Sequence, residues 1–268
     1  DMANRLPAPD LKNLHAAFRT ESAVMLEFAN SLTTAQWNAP SKAAGWSIAD
    51  MVGHIGSTAH NMYSPAGLQA ARQPSLEAVN EGPVQVRRAW SRQQVMAEFE
   101  TATRTSARML AFVRHTPMRA VPMGLNELGK FPMALLVGGA LVFDLHTHLR
   151  HDMAPALGLP TPPTDANRMR AVLDWMTAVL SNQTAKSPAP GIDAGLTLTL
   201  TGPGGRTWWI DADGLAAAGS RTPAARITAP AITFPDWGTQ RSSWRDADVE
   251  LAGDTELAAL YLDTVNVI

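Results

Sequence analysis

The chain has 268 residues, of which 46% are hydrophobic and 17% charged, with a formal net charge of −2 and no cysteine. This composition is typical of folded globular proteins and excludes a disordered chain. The small net charge gives no electrostatic basis for binding nucleic acid or an acidic membrane surface. The lack of cysteine excludes disulfides, thiolate metal ligands and a cysteine nucleophile.

Helical patterns dominate the first two thirds of the chain. Apolar residues recur at roughly helical spacing over residues 9–34. Ser47 followed by Asp50 has the pattern of a capping box, so a helix is predicted to begin at Ile48. Residues 64–91 contain three prolines and two glycines, and they predict a long loop or a short ancillary segment.

Three further helices are predicted in this region. Apolar periodicity returns over residues 92–115 and again over 165–182. Between them, Pro132 suits the first turn of a helix through the apolar run that follows it. No apolar run reaches the ~18 residues of a membrane span, and the N-terminus lacks a signal-peptide profile. We therefore expect a cytoplasmic protein without membrane contact.

The pattern changes from helix to strand after Gln183. Leucines alternate with threonines in "LTLTLTG", which predicts a half-buried strand. The "GPGG" turn at 202–205 leads into "RTWWID", so the two segments should pair as a hairpin. "AARITAP" and "DVELAGD" predict two more strands, and "TELAALYLDTV" predicts a closing helix. The predicted fold class is α+β with two domains, a helical bundle over residues 1–185 and a small α+β domain over 190–268.

Three of the seven histidines lie in "FDLHTHLRHDM", residues 143–153. Asp144 and His148 share one face of a helix, whereas His146 points away from His148. A carboxylate and an imidazole four residues apart can bind one divalent metal, but a catalytic zinc site needs a third protein ligand. His54, which should face inward from the helix capped by Ser47, is the best candidate for it.

The same residues also allow a purely structural interpretation. A buried Asp–His pair can be a simple salt link, and an inward-facing histidine can be a hydrogen-bonded core residue. Spacing alone leaves these alternatives open. Arg150 and Arg245 are predicted to be solvated.

Four stretches resemble one family of proteins. "WNAPSKAAGWSIADMVGHI" and "DLHTHLRHDMAPALG" resemble the two signatures of the DinB-like metal-dependent superfamily. "LTLTLTGPGGRTWWI" and "WGTQRSSWRDADVELAGD" are similar to the sterol-carrier-like α+β domain of its mycothiol-dependent maleylpyruvate isomerase branch. The resemblance implies a DinB-like four-helix bundle followed by a small sterol-carrier-like domain.

The resemblance also implies a set of ligands. His54, Asp144 and His148 would hold Zn²⁺ or another divalent metal. The family usually has glutamate at the position of Asp144. His151 stands where an aspartate is common in the branch, so it is a substitute ligand, a catalytic partner of the ligands, or neither.

Arg241, in the "WGTQR" segment, is implied to bind an anionic group of the substrate or cosubstrate in a catalytic role. Trp237 is a core residue by its type, but it flanks Arg241, and the alternative is that it lines the cofactor-binding cleft which Arg241 is implied to reach.

The activity that the resemblance implies is that of an enzyme using the small thiol mycothiol. A metal would hold the thiol as thiolate, which attacks a small electrophilic molecule, in a cis–trans isomerase or a thiol S-transferase. Two alternatives remain: a hydrolase of the same fold that activates water, and a non-catalytic binding protein for small molecules. A monomer or a small homo-oligomer is expected.

Overall fold

The computed structural model describes residues 5–65, 67 and 76–267. Contacts divide the chain into two compact units, one of Leu11–Pro163 and one of Asp1–Asp10 with Thr164–Ile268. The first unit is mainly helical and the second contains a five-stranded sheet. This order of a helical region followed by a sheet domain confirms the prediction at that level. Among the described residues, no helix has the length and apolar character needed to cross a bilayer.

In the described part of the first unit, helices precede a short hairpin and a long helical run. These helices include α1 (Leu11–Ser31), α2 (Thr34–Trp37), α3 (Ile48–Asn61), α4 (Leu76–Arg87) and α5 (Arg92–Val113). The hairpin pairs β1 (Pro122–Leu125) with β2 (Gly129–Pro132), and the run contains α6 (Ala140–Thr147) between π-helical turns at Leu135–Gly139 and His148–Met153.

The start of α3 is as predicted. The Ser47 hydroxyl accepts from the main-chain N–H of Asp50 at 3.1 Å, and the Asp50 carboxylate accepts from the N–H of Ser47 at 2.9 Å. This reciprocal capping satisfies two donors that the first turn leaves unpaired. The helix that carries His54 therefore has a fixed beginning.

A long loop or a short ancillary segment was predicted over 64–91. The structure has the helix α4 there, held by Arg87 on Glu98 and by Trp46 Nε1, which donates to Glu81 at 2.9 Å. These partners are distant in sequence, so local composition does not reveal them; residues 66 and 68–75 of the segment lie outside the described residues.

The predicted helical run after Pro132 is present and begins at Met133, one residue after Pro132, which itself ends β2. The next residue, Met133, donates its N–H to Val121 O at 2.9 Å, which closes the hairpin. The turn needs the left-handed backbone of Asn126 (φ 43°), a conformation that asparagine tolerates better than most residues. The hairpin was not predicted.

The second unit combines α7 (Ala166–Lys186) with a sheet in the order β5-β4-β3-β6-β7. Its strands are β3 (Leu196–Thr201), β4 (Thr207–Asp211), β5 (Gly214–Ala217), β6 (Ala225–Pro230) and β7 (Glu250–Gly253), with α8 (Phe234–Gly238) before β7 and α9 (Thr255–Leu262) after it. The predicted hairpin is confirmed as the antiparallel pair β3–β4, whose three leucines are at most 2% exposed. Strand β5 was not predicted.

The helix α7 belongs with this sheet. Leu215 of β5 donates its N–H to Ser181 Oγ at 2.9 Å, and Arg206 lies 3.7 Å from Asp174. The N-terminal Arg5 also joins this unit, with both terminal nitrogens 2.7 Å from the Asp211 carboxylate. The contact-defined units divide at 163/164, which groups α7 with the sheet, while the predicted domain bounds of 1–185 and 190–268 stay a prediction.

Asp174 makes the stability of the second unit depend on pH. Burial raises the pKa of its carboxyl to about 6, although Arg206 and Arg170 oppose the shift. Because the pKa of Asp174 is higher in the folded than in the unfolded chain, the folded unit is favoured while this carboxyl is neutral. The stability that depends on the neutral carboxyl is complete below about pH 4 and is lost as the pH rises through about 6.

We expect the free energy of unfolding of Asp174→Asn to exceed that of the native chain by up to about 3 kcal/mol at pH 7. Below pH 4 the two values should differ little. Urea denaturation across this pH range measures the difference. A gap between the two proteins that does not change with pH would contradict the assignment.

Candidate metal site

The three predicted ligand residues come together in the first unit. His54 of α3, Asp144 of α6 and His148 each offer one ligand atom, and these atoms lie within 4.8 Å of one another. His54 Nε2 is 3.6 Å from Asp144 Oδ2, and the His54 and His148 rings meet edge to face with centroids 5.4 Å apart. Over the described part of the chain, no other three histidine or carboxylate groups approach in this way.

The donor set fits a tetrahedral divalent metal. Two ligands that each lie ~2.0–2.2 Å from zinc are about 3.4 Å apart at the tetrahedral angle, close to the 3.6 Å between His54 and Asp144. The His54 ring is buried, and its Nδ1 has no hydrogen-bond partner among the residues described. A metal held by Nε2 would leave Nδ1 unpaired as well, so the case for a ligand rests on the distance between Nε2 and Asp144 and on the convergence of the three groups.

Asp152 orients His148 and was missed as a functional residue. Its Oδ2 lies 2.7 Å from His148 Nδ1, and its side chain is only 3% exposed. A carboxylate on Nδ1 keeps the proton there and leaves the Nε2 lone pair for a metal. The spacing of four residues between His148 and Asp152 was the available signal, the same signal that pairs Asp144 with His148.

The turn before α3 is hydrogen-bonded to the main chain of Asp152. Lys42 donates its N–H to Asp152 O at 3.0 Å, and Ser41 Oγ donates to Trp46 O at 2.8 Å. The Trp46 ring then packs on His54 with centroids 5.1 Å apart. One main-chain hydrogen bond, from Lys42 to Asp152, therefore connects the two stretches that carry the ligands.

The remaining residues named from the sequence lie elsewhere. His151 is part of the π-helical turn but not of the ligand group, and the neighbouring His146 is fully buried. The prediction that Arg150 is solvated is wrong, since its side chain is 3% exposed and lies 2.7 Å from Glu21. Arg245 is exposed, as predicted.

Arg241 and Trp237 lie in the second unit. Arg241 is exposed, and its Nη1 donates to Thr239 Oγ1 at 2.7 Å. Trp237 is buried and packs in a T-shape on Phe234 with centroids 4.7 Å apart. Their roles in binding or catalysis stay predictions.

One protein-family model matches a part of the first unit. Residues 18–137 match the family described as mycothiol maleylpyruvate isomerase N-terminal domain. The matched region includes His54 and ends before Asp144. No curated protein sequence matches the chain significantly.

Two solved structures are similar over 92% of this chain and 93% of theirs, each at 17% sequence identity. They are the crystal structure of the mycothiol-dependent maleylpyruvate isomerase, with a TM-score of 0.55, and that of a histidine-to-alanine mutant, with 0.56. At this identity the likeness establishes the fold, and both descriptions are of an enzyme. The predicted resemblance is thus confirmed: the chain has the fold of the mycothiol-dependent maleylpyruvate isomerase, and its residues 18–137 match that family's N-terminal domain.

Proposed function

We propose that this protein is a zinc-dependent enzyme that uses mycothiol on an electrophilic small molecule, as a cis–trans isomerase or a thiol S-transferase of the maleylpyruvate isomerase type. The observation that carries the proposal is the convergence of His54, Asp144 and His148 within 4.8 Å, in a chain whose N-terminal region matches the mycothiol maleylpyruvate isomerase domain.

The ligand types support zinc as the metal. Two imidazole nitrogens and one carboxylate oxygen form a set that zinc accepts, and three protein ligands leave a fourth position for another molecule. When bound, the metal would lower the pKa of a coordinated thiol so that it is a thiolate at neutral pH. Since the chain has no cysteine, the thiol must come from solution.

The charges of the site favour an anion at that position. Two neutral imidazoles and the Asp144 carboxylate carry a charge of −1 in total, which leaves a divalent cation incompletely neutralised. Asp152 keeps the proton of His148 on Nδ1 and away from the ligand atom. A thiolate therefore suits the site electrostatically better than a neutral thiol.

The resemblance supports further roles outside this cluster. Arg241 is proposed to bind a carboxylate of the substrate or cosubstrate in two hydrogen bonds, a geometry that arginine offers and lysine does not. Trp237 is proposed to line the same cleft, and His151 to assist the ligands. We also propose a DinB-like four-helix bundle and a sterol-carrier-like second domain, in a cytoplasmic monomer or small homo-oligomer.

The test is activity with and without the thiol. We expect zinc-loaded protein to isomerise maleylpyruvate, or to transfer a thiol to a related electrophile, only when mycothiol is present. Activity that survives complete removal of small thiols would contradict the proposal and favour the hydrolase alternative. Zinc binding far below one equivalent per chain would favour the non-catalytic binding protein.

A further inference from the structure

All three guanidinium nitrogens of Arg150 donate hydrogen bonds within the first unit. Its Nη1 donates to Glu21 Oε2 at 2.7 Å and to His146 O at 3.3 Å. Its Nη2 donates to Glu21 Oε1 at 3.1 Å and to Pro163 O at 2.9 Å, and Nε donates to Pro162 O at 3.0 Å. All five N–H groups of the side chain thus have an acceptor.

The burial of this ion pair is difficult to explain by stability alone. The side chains of Arg150 and Glu21 are only 3% and 0% exposed. Removing both charges from water costs several kcal/mol, and buried pairs are often no more stabilising than apolar residues of similar volume. A pair whose net contribution to stability is small can instead fix one local geometry.

The local geometry in question is the π-helical turn His148–Met153. Ala154 donates its N–H to Leu149 O at 3.0 Å, five residues back, as in a π-helix. Such turns are rare and recur at functional sites. Arg150 lies on this turn between His148 and Asp152, so whatever holds Arg150 also holds the candidate ligand and its carboxylate partner.

We propose that Arg150 and Glu21 are positioning residues that fix the π-helical turn, so that Asp152 meets His148 and the Nε2 of His148 faces the other two ligands. Glu21 anchors the turn to α1, and the carbonyls of Pro162 and Pro163 anchor it from the other side. The inference deepens the proposed function, because it concerns the same site, but it also makes a claim about the metal-free protein.

Arginine is required at this position because of its shape. A lysine at 150 keeps the positive charge beside Glu21 but has three donors on one nitrogen, which cannot reach acceptors on three sides. Arg150→Lys therefore separates the role of the charge from that of the fixed fork. Glu21→Gln keeps the size of the partner and removes its charge.

The first measurement is the state of the His148 ring in metal-free protein, from the ¹⁵N chemical shifts of its two nitrogens at a pH above the histidine range. We expect the native chain to carry the proton on Nδ1, and Arg150→Lys and Glu21→Gln to show a mixture of both tautomers. The second measurement is zinc affinity by titration calorimetry, which we expect to fall about tenfold in both variants.

The matched control is Arg92→Met. Arg92 also bonds two main-chain carbonyls in the first unit, Ala29 O at 2.6 Å and Leu32 O at 2.9 Å, but at the far end of α1. It should lower the free energy of unfolding without changing the His148 signals or the zinc affinity.

Unchanged His148 signals in folded Arg150→Lys and Glu21→Gln would overturn the inference. If the native chain binds no zinc, the proposed function fails, while the ring signals still decide whether Arg150 positions His148.

Discussion

Replacing His54 with alanine is expected to abolish zinc binding while the helices of the first unit remain folded. His54 is one of three candidate ligands, and the remaining two provide fewer protein donors than a catalytic zinc site uses. Its Nδ1 has no hydrogen-bond partner within the described residues and its Nε2 makes one long contact, 3.6 Å from Asp144 Oδ2, so the substitution removes mainly packing. Calorimetric titration with zinc and the far-UV circular dichroism spectrum measure the two expectations.

The matched control for this variant is His60→Ala. His60 lies on the same helix, six residues later, where it packs on Tyr63 with centroids 5.2 Å apart and belongs to no ligand group. Zinc should raise the unfolding temperature of the native chain and of His60→Ala, because a ligand of the folded state stabilises it by mass action. One equivalent of zinc bound to His54→Ala with native affinity would refute the ligand assignment.

Asp152→Asn is expected to weaken zinc binding ten- to a hundredfold without unfolding the protein. The amide has the size of the carboxylate, so packing is kept. It can donate as well as accept, however, and it therefore no longer restricts the proton of His148 to Nδ1. Titration of the metal-free variant with zinc should show the weaker binding as a larger dissociation constant.

Asp165→Asn is the control with the same chemical change. Asp165 caps α7 in the second unit by accepting from the N–H groups of Asn167 and Arg168, a role that asparagine fills equally well. Zinc affinity should be native in this variant. If Asp152→Asn also bound zinc with native affinity, the carboxylate would not be orienting a ligand.

Local patterns carried most of what the sequence revealed. The capping box predicted the first residue of α3, and the alternation of leucine with threonine predicted β3, because both depend on neighbours in the chain. The i,i+4 rule paired Asp144 with His148 for the same reason. His54 comes from another helix; its inward-facing position made it the best candidate for a third ligand, and the resemblance to a family then implied the full set.

Partners far apart in sequence account for the errors. Arg150 was predicted to be exposed to solvent, since arginine is seldom buried without a partner. Its partner, Glu21, is 129 residues away in the sequence. The helix α4 depends in the same way on Glu98 and Trp46. The π-helical turns have no pattern of their own in the sequence, whereas the contact between Asp152 and His148 could have been predicted from their spacing of four residues.

The division of the chain into units has a consequence for its synthesis. Residues 11–163 form one continuous unit that contains His54, Asp144 and His148, and they leave the ribosome before any strand of the five-stranded sheet exists. The other unit joins residues near Arg5 to residues beyond 164. Arg5 therefore finds its partner Asp211 only after that part of the chain has been synthesised. The metal ligands can therefore assemble cotranslationally, whereas the sheet forms only after residues 196–253 have been synthesised.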